Sequence, residues 1–216
     1  MGKRDDNSRR QREAITSAAV SVFSKKGFHQ ASVEEIARRA GVGKGTIYLY
    51  FDNKSQLFAA AVAEGIESII AELRAELESD LPFPQHLERL LKKNVSLYLE
   101  YGDLTRIFSN ELSSGLERKA RNEIEQVRDR YIDFIAETLA EGHRRGYIRG
   151  IDFRLAAIGM AGMLDSLCSH QLKNREPGDR ERLFHTVIAL LSSGLIARET
   201  RGKVKRKKEK GKSMAL

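Results

Sequence analysis

Tryptophan is absent from this 216-residue sequence, cysteine occurs once and proline three times. A lone Cys168 cannot close an intrachain disulfide and offers no metal-ligand spacing. With only Pro82, Pro84 and Pro177 present, long stretches are free of helix breakers. No apolar run approaches the roughly 18–20 residues that a membrane span needs. The opening MGKRDDNSRRQRE carries no apolar core of a secretory signal. The expectation is a cytoplasmic chain with no membrane partner. Hydrophobic residues still make up 41%, ample for a packed interior.

Charge is distributed unevenly. The formal net charge is +8; residues 1–57 carry +5, residues 58–198 carry −3, and residues 199–216 carry +6. Basic ends on a mildly acidic body point to a polyanion for the ends and a different task for the middle. The run RGKVKRKKEKGK has one apolar residue, Val204, and is expected to be disordered.

Periodicity reads as helix throughout. In 9–26, Ile15, Ala19, Val22 and Phe23 share one face, and Gly27 after Lys25-Lys26 reads as a stop. Ser32-Val33-Glu34-Glu35 is a capping box that opens a short helix, 33–40, closed by Gly41. Further helices are expected at 44–50, 57–77 (capped by Asp52-Asn53), 85–101, 104–112, 116–142, 152–173 and 179–197. No segment sustains a period of two with turn signals at strand spacing. The fold class is therefore all-α.

The strongest functional signal is SVEEIARRAGVGKGTIYLYF, residues 32–51. A helix-turn-helix needs two short helices crossing at about 100° through a tight turn. Ala37 is small where the helices meet. Gly41 supplies a positive φ four residues later, and Val42 and Ile47 fill the wedge. Ile36 and Phe51 face the first helix. The Ala37/Gly41/Ile47 spacing is the specific part, and the basic charge around it suits DNA.

The stretch from about Arg9 to Leu57 resembles the DNA-binding domain of the TetR family of bacterial regulators. The matching residues are Phe23, Gly27, Phe28, Ser32-Val33, Ile36-Ala37, the run from Ala40 to Tyr48, Tyr50-Phe51 and Lys54. The resemblance implies that Lys44, Gly45 and Thr46 open the recognition helix in the major groove. It implies phosphate contacts for Tyr48 and Tyr50, and flanking backbone contacts for Ser32 and Lys54. Plainer roles stand beside these: an N-cap for Ser32, ring packing for either tyrosine, and a solvated charge for Lys54. Gly43 and Leu49 depart from the family pattern, which often has a hydroxyl and an aromatic there. Tyr50 stands where a histidine is frequent.

The resemblance also implies a three-helix head followed by a helical effector-binding and dimerisation domain. The expected division is 1–55 for DNA binding, 56–198 for effector and dimer, and 199–216 for a basic tail. The last two helices are rich in small and apolar residues; Leu183, Val187, Leu190 and Leu191 are the dimer candidates, although a monomer interior would read similarly. An elongated, mostly apolar pocket is expected between helices 85–101, 116–142 and 152–173. Its candidate lining is Tyr98, Phe108, Glu111, Tyr131, Met160, Met163 and Leu164, with Asn94 as a further polar group. Taken singly, each of the large side chains reads as core before it reads as a ligand contact. The stretch 108–112 is faintly similar to a fatty-acyl-responsive branch of the family.

His29, His86, His143, His170 and His185 are scattered without metal-ligand or triad spacing. No phosphate-cradling loop is present. Neither an enzyme nor a resident metal or cofactor is expected. The rival readings are a helical enzyme or lipid-binding protein with an incidental helix-turn-helix, and a sequence-independent DNA coater. The reading adopted is a homodimeric, ligand-responsive regulator of operator DNA acting as a repressor, with a small hydrophobic or amphipathic effector.

Overall fold

The computed structural model describes residues 3–77, 83–101, 115–174 and 179–195. Every regular element among them is an α-helix: α1 Lys3–Gln30, α2 Val33–Ala40, α3 Lys44–Tyr48, α4 Lys54–Leu77, α5 Phe83–Tyr101, α6 Arg118–Arg144, α7 Phe153–Asn174 and α8 Asp179–Leu195. The helix expected at 104–112, with Phe108 and Glu111, lies outside the described residues, as does the basic tail.

Helix α1 starts earlier than periodicity alone indicates. Its first turns, DDNSRRQRE, have no apolar stripe to read, but their charges pair along the helix: Arg9 with Asp6 and Glu13, and Arg10 with Asp6. At Gly27 the backbone leaves helical geometry (φ 68°, ψ 179°) and the axis bends before Phe28–Gln30. That conformation is essentially confined to glycine. The bend turns Phe28 onto Phe58, with ring centroids 5.2 Å apart, beside the edge-on Phe23–Phe58 pair at 4.9 Å. This cluster joins α1 to α4.

Helices α1, α2 and α3 form the head. Ile15, Ala19, Phe23, Ile36, Ala37, Ile47 and Phe51 are buried there. Helix α4 packs on α1, α5 and α6, α6 packs on α7, and α8 packs on α7 and α5. The body is thus a layered helical bundle, with α4 shared between head and bundle. From Lys54 to Leu73, α4 spans about 28 Å at 1.5 Å per residue.

Candidate nucleic-acid interface and core cavity

The turn between α2 and α3 is built as its residues dictate. The Glu35 backbone N–H donates to Ser32 Oγ at 3.2 Å, capping α2. At the other end Gly41 adopts φ 69° and ψ 27°. The Val42 N–H reaches the Ala37 carbonyl at 3.0 Å, and the Gly41 N–H reaches the Arg38 carbonyl at 3.3 Å. Both orphan carbonyls are satisfied by this left-handed cap. Ile47 and Ala37 are both buried where the helices cross, and α3 is held as a short rod on the surface.

Helix α3 ends at Tyr48, two residues before the expected end, because its last turn tightens: the Leu49 N–H donates to the Thr46 carbonyl at 3.2 Å. Lys44 and Gly45 are exposed and Thr46 is half-buried. A Cβ at Gly45 would meet nothing within 4 Å, so the bare backbone there is open to a close-approaching partner. Tyr48 is 45% exposed. Leu49, marked in the sequence only as a departure from the family pattern, is 82% exposed, the most exposed large apolar side chain among the described residues. Its signal is visible only once the helix is placed, because its neighbours at helical spacing are not apolar.

Electrostatics refine these roles. Lys44 Nζ lies 2.5 Å from Glu34 Oε1 of α2. The pairing raises the lysine above the ordinary ammonium range and lowers the carboxyl below its own. Ser32 is exposed, and its oxygen serves as the cap, which leaves the hydroxyl hydrogen free to donate outward. Lys54 is folded back instead: its ammonium lies 4.7 Å over the Phe28 ring and donates to the His29 carbonyl at 3.4 Å. Partial burial pushes its pKa down. Tyr50 is half-buried, and its hydroxyl is engaged within the protein, donating to Gln11 Oε1 at 2.9 Å and accepting from Ser8 Oγ at 3.3 Å. Gln11 and Ser8 lie 39 and 42 residues away in sequence, beyond any local pattern.

The head meets the body through α4 and α6. Asn53 caps α4, accepting the Gln56 N–H at 2.9 Å. The Gln56 side-chain oxygen accepts the Ala120 N–H at 3.1 Å, and its amide donates to Glu123 Oε1 at 3.2 Å. Lys119 reaches Asp52 at 3.5 Å. The N-terminal turn of α6 is therefore fastened to the start of α4, directly behind the helix-turn-helix.

Between α4, α5, α6 and α7 lies an apolar cavity of about 40 Å³. Leu73 comes from α4, Leu87, Leu90, Leu91 and Asn94 from α5, Phe134, Ile135, Thr138 and Leu139 from α6, and Met160 from α7. Of the expected pocket residues Met160 lines it, as does Asn94; Leu164 is buried and Met163 is half-buried against the same core. Tyr131 and Tyr98 are buried about one helical turn farther along their helices. Asn94 and Tyr131 bond to each other in both directions: the amide donates to the phenol oxygen at 2.7 Å and the phenol donates to Asn94 Oδ1 at 2.9 Å. Burial pushes the Tyr131 hydroxyl well above the usual phenol range, so it stays protonated. The Tyr98 hydroxyl donates to Asp165 on α7.

The four dimer candidates divide. Leu183, Val187 and Leu191 are buried within one protomer, on the side of α8 facing α7 and α5, because a helix against two neighbours buries a wide stripe. Leu190 is 53% exposed on α8, and Leu155 (66%) and Ile158 (42%) are exposed on α7. Gly159 and Gly162 are exposed on that face of α7, with open space where a Cβ would be. A second helix can therefore approach the backbone closely.

Known family models and solved structures match the chain over both head and body. The family model for bacterial regulatory proteins of the tetR family matches residues 15–61, and that for the Tetracyclin repressor-like C-terminal domain matches residues 80–169. The fatty acid metabolism regulator protein of Bacillus subtilis (strain 168) is 32% identical over 183 residues, covering 84% of this chain and 93% of that protein. Among solved structures, the fatty acid degradation regulator FadR from Bacillus halodurans superposes with a TM-score of 0.71 at 29% identity, over 85% of this chain and 95% of that one. The FadR regulator from Bacillus subtilis, solved in complex with stearoyl-CoA, gives 0.70 at 30% identity, over 84% and 98%.

Proposed function

Because the chain belongs to the TetR family of bacterial regulatory proteins, we propose that it is a repressor released from its operator by a long-chain acyl thioester. As a member it is a ligand-responsive, DNA-binding transcriptional regulator that acts on double-stranded operator DNA as a homodimer. The reading extends to a non-enzymatic protein working in the cytoplasm. Residues 1–55 read DNA and 56–198 hold effector and partner, with residues 199–216 as a basic tail; the first boundary falls in the opening turn of α4.

In the proposed complex Lys44, Gly45 and Thr46 face the major groove, Tyr48 and Ser32 donate to phosphates, and Leu49 makes apolar contact with the groove wall. Tyr50 and Lys54 hold the head together from within. The outward face carrying Leu155, Ile158, Gly159, Gly162 and Leu190 meets its twofold mate, with Leu183, Val187 and Leu191 supporting it from behind.

The observation that carries the effector reading is the position of the cavity. It is apolar, and α4 forms one wall at Leu73 while anchoring the head at its other end. At about 40 Å³ the cavity is far smaller than the roughly 300–1,000 Å³ of an occupied ligand site. An acyl chain must spread α4, α5, α6 and α7 to enter, and that spread moves the helix that carries the DNA-binding head. The likeness to a regulator solved with stearoyl-CoA supports the chemical class.

The test is fluorescence anisotropy of the protein on DNA from upstream of its own gene, with stearoyl-CoA, free CoA and stearate as additives. Stearoyl-CoA should weaken operator binding about 10- to 100-fold, in line with a coupling of roughly 1–3 kcal/mol. Unchanged affinity with stearoyl-CoA would refute the effector assignment.

A further inference from the structure

The cavity wall is apolar except at two places. Thr138 spends its hydroxyl proton on the Phe134 carbonyl at 2.9 Å. Asn94 differs. Its amide carries two N–H donors and two acceptor lone pairs. Among the described residues its hydrogen bonds go to Tyr131 alone, which takes one N–H and supplies one O–H, so the second N–H has no partner there on a residue that lines the cavity. Asn94 is buried, and an amide N–H in apolar surroundings gains strongly from any acceptor that reaches it.

Resting on the acyl-thioester reading above, we propose that Asn94 recognises the carbonyl of the acyl group. Its second N–H donates to the carbonyl oxygen, while Tyr131 holds the amide in place. Tyr131 is suited to the positioning role, since burial keeps its hydroxyl protonated and two hydrogen bonds fix the amide plane against it. The alkyl chain extends from there toward Leu73 and Leu87 among purely apolar side chains. The geometry makes Asn94 a selector for acyl compounds over alkyl compounds of equal length.

Two probes that differ only in the carbonyl decide the matter: stearoyl-CoA and its thioether analogue S-octadecyl-CoA, titrated into the full-length protein by calorimetry. The wild type should bind the thioester about tenfold more tightly, the scale of one well-made hydrogen bond. In Asn94→Leu the ratio should collapse to about one, mainly through weaker thioester binding, whereas a merely structural role would weaken both probes alike. Tyr131→Phe should reduce the ratio part of the way. Circular dichroism and operator binding establish that each variant is folded. The wild-type ratio tests the assignment even if a variant fails to fold. If both probes bind the wild type equally, or the ratio survives in Asn94→Leu, the Asn94 assignment is overturned and the acyl-thioester reading stands. If neither probe binds the wild type, the acyl-thioester reading itself falls and the assignment falls with it.

Discussion

The Tyr50 hydroxyl donates to Gln11 Oε1 at 2.9 Å, tying the chain just beyond the recognition helix to the first turns of α1. One side chain thereby links α1 to the end of the helix-turn-helix within the head. Tyr50→Phe should cost about 1 kcal/mol of stability, the usual net worth of such a bond. It should also weaken operator and unrelated DNA by similar factors. Gln11→Leu should do the same, and the double variant should lose little more than either single one. Thermal melts with anisotropy on both DNAs check this; fully additive losses would show that the two groups act separately.

Leu190 and Val187 sit one turn apart on α8 and should respond oppositely to charge. Val187→Glu places a carboxylate in the protomer core and should cost at least about 3 kcal/mol, enough to compromise folding. Leu190→Glu should leave the protomer folded but separate the dimer, because Leu190 is exposed within one chain. Sedimentation velocity and circular dichroism distinguish the two; a Leu190→Glu variant that sediments as a dimer would remove this face from the interface.

Gln56 joins the start of α4 to Ala120 and Glu123 at the start of α6. Gln56→Leu preserves bulk but removes both bonds. Stability should fall by about 1 kcal/mol. Operator affinity without effector should persist, while the fold-change caused by stearoyl-CoA should shrink severalfold. The anisotropy assay with and without effector reads this coupling directly.

Burial, followed by the nearby Asp165 charge, pushes the Cys168 thiol from an ordinary value of 9.0 up to about 12. Folding therefore favours the neutral thiol. Its stabilisation is complete below an ordinary thiol's pKa of 9.0 and is lost as pH rises through about 12. Denaturant midpoints should fall as pH rises through that window, and those of Cys168→Ala should fall less steeply. Tyr131, raised by burial as well, contributes in the same direction and keeps the slope from vanishing.

The head was legible in the sequence because its determinants are local. A cap at Ser32, a left-handed turn at Gly41 and a backbone break at Gly27 each follow from residue chemistry within a few positions. The body was legible as helices but less so as surfaces. Helix α8 has apolar residues on two sides, and periodicity cannot say which of the two faces the protomer. Only packing against α7 and α5 separates buried Val187 from exposed Leu190. The cavity falls among the expected helices, with α4 added, but its wall is set by side chains from all four. It therefore lies about a turn away from Tyr98 and Tyr131. Contacts such as Tyr50–Gln11 and Gln56–Ala120 span too much sequence for any pattern to reveal.

The Glu34–Lys44 pair has a consequence for how ionic strength will act on this protein. Lys44 comes to DNA with a carboxylate already on its ammonium. When the ammonium turns to the DNA it displaces counterions from the nucleic acid, but it must first leave Glu34, and breaking that exposed pair becomes easier as salt rises. The two effects oppose, so this contact contributes less than the about 0.9 that an unpaired lysine adds to the slope of log K against log salt. A salt titration will therefore count fewer cationic contacts than the complex makes. Glu34→Gln should steepen the slope while tightening binding at low salt.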